Sequence, residues 1–317
     1  MAKLKGPLMS QEARGSLGPG LTYSERKSGS QARIQQKQVI PKPSFASTDN
    51  QSLYRLIIAR WNSFTQNQQD AYNEEVKTEN LQISGWNLFV KKAMLDPLVY
   101  LGLAGYWTFN REGSGTVLDI SKNGNHGTLQ PDYPANAPTY VDSDNIKMRK
   151  ALNFDGDDYI ALPSAITLPT CRTITIYLKT LYLNTQTAFQ LLGSPSPYPC
   201  LAIRMGVFAH DGTVEFLTRG TGDDAKVISS TAITDNHWHC ITGVKTATKQ
   251  SIYIDGKFEN TSDANDEVIP EAKFTTPKIG DFNNNQYWRG CIDEVSVYNR
   301  ALSAGEIKDI YNMYNVK

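Results

Sequence analysis

GCIDEVSVYNRALSAGEIKDIY, Gly290 to Tyr311, changes period halfway along. Ile292 to Tyr298 alternates as a strand does, which puts Asp293 on the face of Val295 and Val297. From Ser303 the period becomes helical. Ser303 and Glu306 form a capping box, and Leu302 and Ile307 a hydrophobic staple. Ile307, Ile310, Tyr311 and Tyr314 then share one apolar face. The stretch reads as a late strand of a sandwich followed by a short closing helix. A carboxylate among valines has three readings: a catalytic acid, a metal ligand, or a buried hydrogen-bonding anchor.

Upstream, the same strand texture reaches back to about residue 101. Short alternating runs are separated by FNREGSG, KNGNHG, FDGDD, AHDG, YIDGK and DFNNNQ, all rich in turn formers. No long helical pattern interrupts them before the last dozen residues. Over 101–317 this predicts a mainly β domain, an antiparallel jelly-roll sandwich.

Residues 47–100 have another texture. Thr48 with Gln51 and Thr65 with Gln68 read as capping boxes, and Ser84 opens a third helix. Leu53, Ile57, Trp61 and Phe64, then Tyr72 and Val76, then Trp86, Phe89, Val90 and Ala93 fall at helical spacing. A small three-helix unit is expected, with its aromatics in a core. Residues 1–46 are rich in Gly, Ser, Gln, Lys and Arg and bury too little to fold alone, so they read as an extended basic arm. LTYS and ARIQQKQVI within it are suited to pairing as edge strands against a partner.

The 317 residues carry no formal net charge, yet residues 1–60 hold ten Lys and Arg against three acids. A basic N-terminal region is therefore joined to an acidic body, and Lys3, Lys5, Arg14, Arg26, Lys27 and Arg33 are candidate anchors to an acidic partner. The start has no apolar signal core, and LDPLVYLGLAGYWTF is too short and broken to span a bilayer. Cys171, Cys200, Cys240 and Cys291 are scattered without a CxxC pair and read as free thiols.

Four motifs in order, GYWTFNREGSGTVLDISKNGNHGTL (105–129), ALNFDGDDYIALP (151–163), NHWHCITGVKTATKQSIYIDGK (236–257) and the stretch from Gly290, resemble the laminin-G-like, concanavalin A-like jelly roll. The resemblance covers about residues 103–314. It implies a two-sheet sandwich that binds carbohydrate or protein, often with a structural calcium. It also makes the Asp119 loop and Asp293 neighbours, since first and last strands meet in that fold. Residues 1–38 and ISGWNLFVKKAM (83–94) resemble a family of small tailed-bacteriophage structural proteins.

Asp119, Asn123, Asn125, Asp155, Asp157 and Asp293 would supply the oxygen ligands that calcium requires. Two departures bear on this: Lys122 stands where the family usually has Gly, and Asn110 where it commonly has an acid. The alternative is that these side chains only make Asx-turns and accept backbone N–H bonds. Tyr198, Asn284 and Tyr287, on aromatic-bearing polar loops, are candidate glycan contacts. His239 reads as a satisfied histidine, and no Ser/His/Asp order, HExxH or phosphate loop appears, so no enzymatic activity is expected. The reading is a virion protein in many copies, attached to capsid or tail proteins by its N-terminal region. Its jelly roll would be displayed toward host-surface glycans. A free lectin or adhesin, or a nucleic-acid-binding protein using the arm, are the rival readings.

Overall fold

The computed structural model describes residues 15–17, 21–26, 29–34, 45–97, 101–112, 115–132, 134–145, 147–163, 166–192, 200–206, 211–219, 224–264, 272–273, 277–282 and 286–314. The chain divides into two compact units, residues 1–44 and 45–317. In the first, β1 (Gly15–Leu17), β2 (Leu21–Arg26) and β3 (Gly29–Ile34) form an antiparallel sheet in that order. Leu21 faces Ile34, and Arg26 faces Gly29. Leu21, Thr22 and Tyr23 of the first expected edge segment thus pair with Ala32, Arg33 and Ile34 of the second, and the arm is not extended over these residues. Arg26 and Arg33 lie on these strands; Lys3, Lys5, Arg14 and Lys27 fall outside the described residues.

The second unit opens with α1 (Phe45–Asn62), α2 (Gln66–Thr78) and α3 (Gly85–Leu95). The helix signals at Thr65 and Ser84 hold: Gln68 Oε1 accepts the Thr65 amide at 2.9 Å, and Ser84 Oγ accepts the Asn87 amide at 3.2 Å. α1 starts three residues before Thr48, so Thr48 and Gln51 lie inside it instead of capping it. Trp61 gathers Phe64, Tyr72, Trp86 and Phe89, with ring centroids 5.4–5.8 Å away.

The sandwich is two eight-stranded antiparallel sheets. One runs β18 (Lys257–Asp263), β17 (Lys249–Ile254), β16 (His239–Lys245), β11 (Arg172–Lys179), β21 (Arg289–Tyr298), β8 (Lys150–Asp155) and β7 (Thr139–Asp142), with β4 (Leu103–Trp107) also on β21. The other runs β15 (Asp224–Ala232), β14 (Thr213–Arg219), β13 (Cys200–Met205), β12 (Gln186–Leu192), β20 (Lys278–Ile279), β9 (Tyr159–Ala161), β6 (Gly127–Gln130) and β5 (Thr116–Val117). A separate pair joins β10 (Thr167–Leu168) to β19 (Ala272–Lys273), and α4 (Ala304–Tyr314) closes the unit. Between the sheets lie Ile174, Ile176, Phe189, Ile203, Phe216, Trp107 and Trp288.

A second buried cluster joins the helices to the sandwich. Leu53, Ile57 and Phe89 pack with Leu103, Tyr106 and Tyr298 and with Leu302, Ile307 and Ile310 around α4. The three helices therefore share a core with the end of the chain. The capping box and staple of α4 are in place. Glu306 Oε2 accepts the Ser303 amide at 3.0 Å, Ser303 Oγ accepts the Glu306 amide at 3.3 Å, and Leu302 and Ile307 are both buried. Arg300, at 2.6 Å, and Arg60 of α1, at 3.2 Å, pair with Glu306. Burial acts to raise the Glu306 pKa, but the Arg300 contacts outweigh it and hold the carboxyl below its usual range.

β21 departs from simple alternation. Thr175 faces Ser296 and Tyr177 faces Asp293, so Ile176 opposes two residues, Glu294 and Val295. This is a β-bulge, with Glu294 at φ +50°. It flips the parity of the strand. Ile292, Val295 and Val297 all enter the core between the sheets, while Asp293 shares the face of Tyr177, whose hydroxyl donates to Ile310 O of α4 at 3.2 Å. Asp293 therefore lies on the outer face of the sheet, fully buried, and not inward with the valines. Strict alternation across Glu294 misplaces it by one residue.

Candidate functional site

The six side chains expected to hold calcium separate into three places. The first is a latch on β4. Asp119 Oδ1 accepts the amides of Tyr106 (2.9 Å) and Ser121 (2.8 Å), and Oδ2 that of Asn125 (2.9 Å). Asn123 donates to Leu103 O at 2.8 Å, and Asn125 to Ala104 O at 2.9 Å. Both carboxylate oxygens are thus occupied by N–H donors, and the two amides face carbonyls. This is the anchoring role of the alternative reading, in which the carboxylate accepts backbone N–H bonds. Lys122, standing where the resemblance expects Gly, takes φ +71° and donates its ammonium to Met94 O at the end of α3. The side chain that strains the turn also ties it to the helices.

The second is Asp293. Its Oδ1 accepts the Glu294 amide at 2.8 Å, and its Oδ2 has no hydrogen-bond partner among the described residues. Burial and then the neighbouring Glu294 push its pKa well above the usual carboxylate range. Glu294 accepts hydrogen bonds from Tyr314 of α4, at 2.8 Å, and from Tyr106 of β4. Tyr314 in turn meets Ser52 of α1 at 3.4 Å. Asp293 belongs to the buried packing beneath α4, away from any ligand set with Asp119.

The third place does gather acids. Asp155 and Asp157 converge with Asp158, their carboxylates within 4.8 Å of one another, and among the described residues no other such group of three forms. The turn carries the chain from β8 in one sheet to β9 in the other. Burial, then Asp155, pushes the Asp158 pKa up to about 7, and a hydrogen bond with Asp155 raises that of Asp157. Mutually repelling carboxylates are what a hard cation neutralises, so these residues fit calcium.

Beside this turn lies a groove of about 250 Å³, lined by Asp155, Lys179, Thr180, Tyr182, Asn236 and Arg289 among others. Two close approaches of backbone build it. Gly290, at φ +125°, lets the start of β21 pass Lys179 O, which a Cβ would meet at 2.3 Å. Gly156, at φ +107°, leaves room for the Arg289 side chain, whose Nε a Cβ would meet at 2.2 Å. The wall is then pinned by hydrogen bonds. Thr180 Oγ1 donates to Arg289 O at 2.7 Å, Gln186 Oε1 accepts the Arg289 amide at 2.8 Å, and Gln186 Nε2 donates to Tyr182 O at 3.0 Å. The Arg289 guanidinium lies 5.6 Å from the centroid of the Tyr182 ring, and Arg289 faces Asp155 across the strands.

Of the glycan candidates, Tyr198 and Asn284 fall outside the described residues. Tyr287 is half-buried with its ring 6.5 Å from Tyr159 and does not line the groove. The groove residues Tyr182, Asn236 and Arg289 escaped the sequence reading. The available signal was KTLYLNTQ, an unbroken apolar triplet where the strand pattern should turn polar. His239 is satisfied: its ring nitrogens meet Asp255 at 2.9 Å and Asp235 at 3.1 Å. All four cysteines are free, with Cys200 and Cys240 buried and their thiols pushed up to about 12 by burial. Among the described residues no helix is long and apolar enough to cross a membrane.

Known proteins share this architecture, although no curated protein sequence matches the chain. Domain 4 of AbnA, a GH43 extracellular arabinanase from Geobacillus stearothermophilus solved with arabinotriose, superposes with a TM-score of 0.55 at 18% identity, covering 66% of this chain and 98% of that one. The binding domain of Paraclostridial Mosquitocidal Protein 1 gives 0.51 at 18% identity, over 67% of this chain and 52% of that one. At such identities the likeness is one of fold. Residues 154–308 match the family described as the concanavalin A-like lectin/glucanases superfamily, in keeping with the two-sheet sandwich found there.

Proposed function

We propose that this chain is a glycan-binding protein whose site is the groove of Tyr182, Arg289, Asp155 and Asn236, and that it binds without turnover. The observation that carries the reading is the lining of that groove, an exposed aromatic ring beside polar groups of both signs on a pinned backbone. A sugar presents apolar C–H faces and paired hydroxyls. An aromatic ring takes the first, and a carboxylate, a guanidinium and an amide take the second. The arabinotriose held by the arabinanase domain supports the reading. Screening the full chain against immobilised glycans, then titrating the best saccharide in solution, tests it. Saturable binding that Tyr182→Ala weakens about tenfold, roughly the worth of one stacked ring, is expected. Binding unaffected by Tyr182→Ala and Arg289→Ala would move the site elsewhere, and a saccharide cleaved on incubation would make the protein an enzyme.

Calcium at Asp155, Asp157 and Asp158 is proposed as a structural brace of the turn beside the groove. Chelation should then lower the melting temperature. An unchanged melt with no metal by elemental analysis would leave the triad a solvated turn.

The setting proposed is a virion. It rests on the resemblance of residues 1–38 and 83–94 to tailed-phage structural proteins and on the basic N-terminal region. Capsid or tail proteins are then the anchoring partners, and many copies turn weak sugar affinity into avidity. Mass spectrometry of purified particles is the test. Absence of the chain from them would favour a free lectin.

A further inference from the structure

At the mouth of the groove the chain holds three consecutive apolar side chains in solvent. Leu181, Tyr182 and Leu183 are 62%, 47% and 46% exposed. Their backbone is fixed. Thr180 Oγ1 accepts the Tyr182 amide at 3.1 Å, Gln186 Nε2 donates to Tyr182 O, and Thr185 Oγ1 donates to Gly206 O at 3.0 Å. Single exposed leucines are ordinary on a protein surface. A run of three, held outward by polar side chains that could have let it fold back, presents a surface for contact.

The neighbouring charges narrow what that contact is. Lys179 is paired with Asp144 at 2.5 Å, and Arg289 sits opposite Asp155. The finger therefore carries no basic field that would draw it to an anionic bilayer on its own. Its two leucines also give too little apolar surface for stable anchoring alone. The finger is continuous with the groove, since Leu181 and Tyr182 line it. A ligand with a polar head and an apolar base would meet both.

Building on the glycan reading, we infer that the groove takes the sugar head group of a membrane-embedded glycolipid, with Leu181 and Leu183 entering the interfacial layer beneath it. The head group supplies recognition and the finger adds apolar burial. Each contact is weak alone, and together they hold the protein at the surface.

The experiment uses the full chain and the saccharide it binds best in solution, conjugated to lipid in phosphatidylcholine vesicles. Plain phosphatidylcholine vesicles and the free saccharide are run beside it. Leu183→Asp, at a finger position that does not line the groove, should bind the free saccharide within about twofold of the unmodified protein, yet bind the conjugate vesicles at least about tenfold more weakly. Leu183→Ser should fall between, and matching melting temperatures exclude a folding defect. Equal vesicle binding by Leu183→Asp overturns the inference while leaving the glycan reading intact. Equal binding to plain and conjugate vesicles overturns it in favour of a bare bilayer. Self-association of the unmodified chain that Leu183→Asp abolishes overturns it in favour of a second copy as occupant. Absence of any soluble saccharide ligand removes the glycan reading itself, and this inference with it.

Discussion

The Asp119 loop, DISKNGNHG, and the Asp155–Asp158 turn, DGDD, look alike as sequence, each an aspartate in a glycine-bearing run of turn formers. They differ in what their carboxylates face. Asp119 receives three backbone N–H groups, one of them from Tyr106 on another strand, and so fastens the first strand of the sandwich to its loop. In the other turn Asp158 takes one long bond, 3.3 Å, from the Asp155 amide, and the three carboxylates otherwise face each other. The same residue types thus make a mechanical latch in one place and a charge-strained cluster in the other. The decision belongs to distant backbone donors.

The largest expected effect separates the two directly. Asp119→Ala leaves three donors unpaired and should cost about 3 kcal/mol or more, at roughly 1–3 kcal/mol for each buried group. Asp157→Ala, at an exposed position, should change stability by no more than about 0.5 kcal/mol when metal is chelated. Urea unfolding in chelator measures both, and equal costs would break the distinction.

Calcium should then act on one region alone. It should raise the melting temperature of the unmodified chain and do nothing for Asp157→Asn. Its affinity should climb as pH rises through about 7, where Asp158 gives up its proton. A calcium effect that survives in Asp157→Asn would place the metal elsewhere.

Without calcium, the pH dependence sharpens the same contrast. The folded Asp158 pKa lies above its unfolded value near 3.8, so its contribution is whole below about 4 and is lost as pH rises to about 7. Asp293, also raised, adds loss in the same direction. Melting curves from pH 4 to 8 should therefore fall less steeply for Asp158→Asn, and less again when Asp293→Asn is added. Parallel curves would mean that neither carboxyl keeps its proton on folding.

The smallest effect concerns Lys122. Lys122→Gly removes a left-handed strain of roughly 1–2 kcal/mol but also frees the unfolded chain and cuts the tie to Met94 O. The net change should stay within about 1 kcal/mol in thermal unfolding. A much larger loss would mean that the tie to α3 outweighs the strain relieved.

Legibility followed locality. The α4 cap with Ser303 and Glu306 and the Thr65 and Ser84 helix starts depend on residues three or four apart, and the strand texture of the jelly roll on alternation within short runs, so all of these could be read directly. The bulge at Glu294 depends on how β21 meets β11, and it moved Asp293 to the opposite face. The shared core of α1, α3 and α4 joins residues more than 200 positions apart, so no window of sequence contains it. The groove was least visible. Its polar wall comes from four separate segments, and its finger looks like an ordinary apolar run until the fold leaves it outside.

Titration of the best saccharide from a glycan screen against the full chain and Tyr182→Ala, with melting temperatures recorded for both, tests the groove most directly. Saturable binding by the unmodified chain, about tenfold weaker in the variant at equal melting temperature, is the result a sugar-stacking Tyr182 predicts. Equal affinity in the two proteins, or no saccharide bound by either, would contradict it.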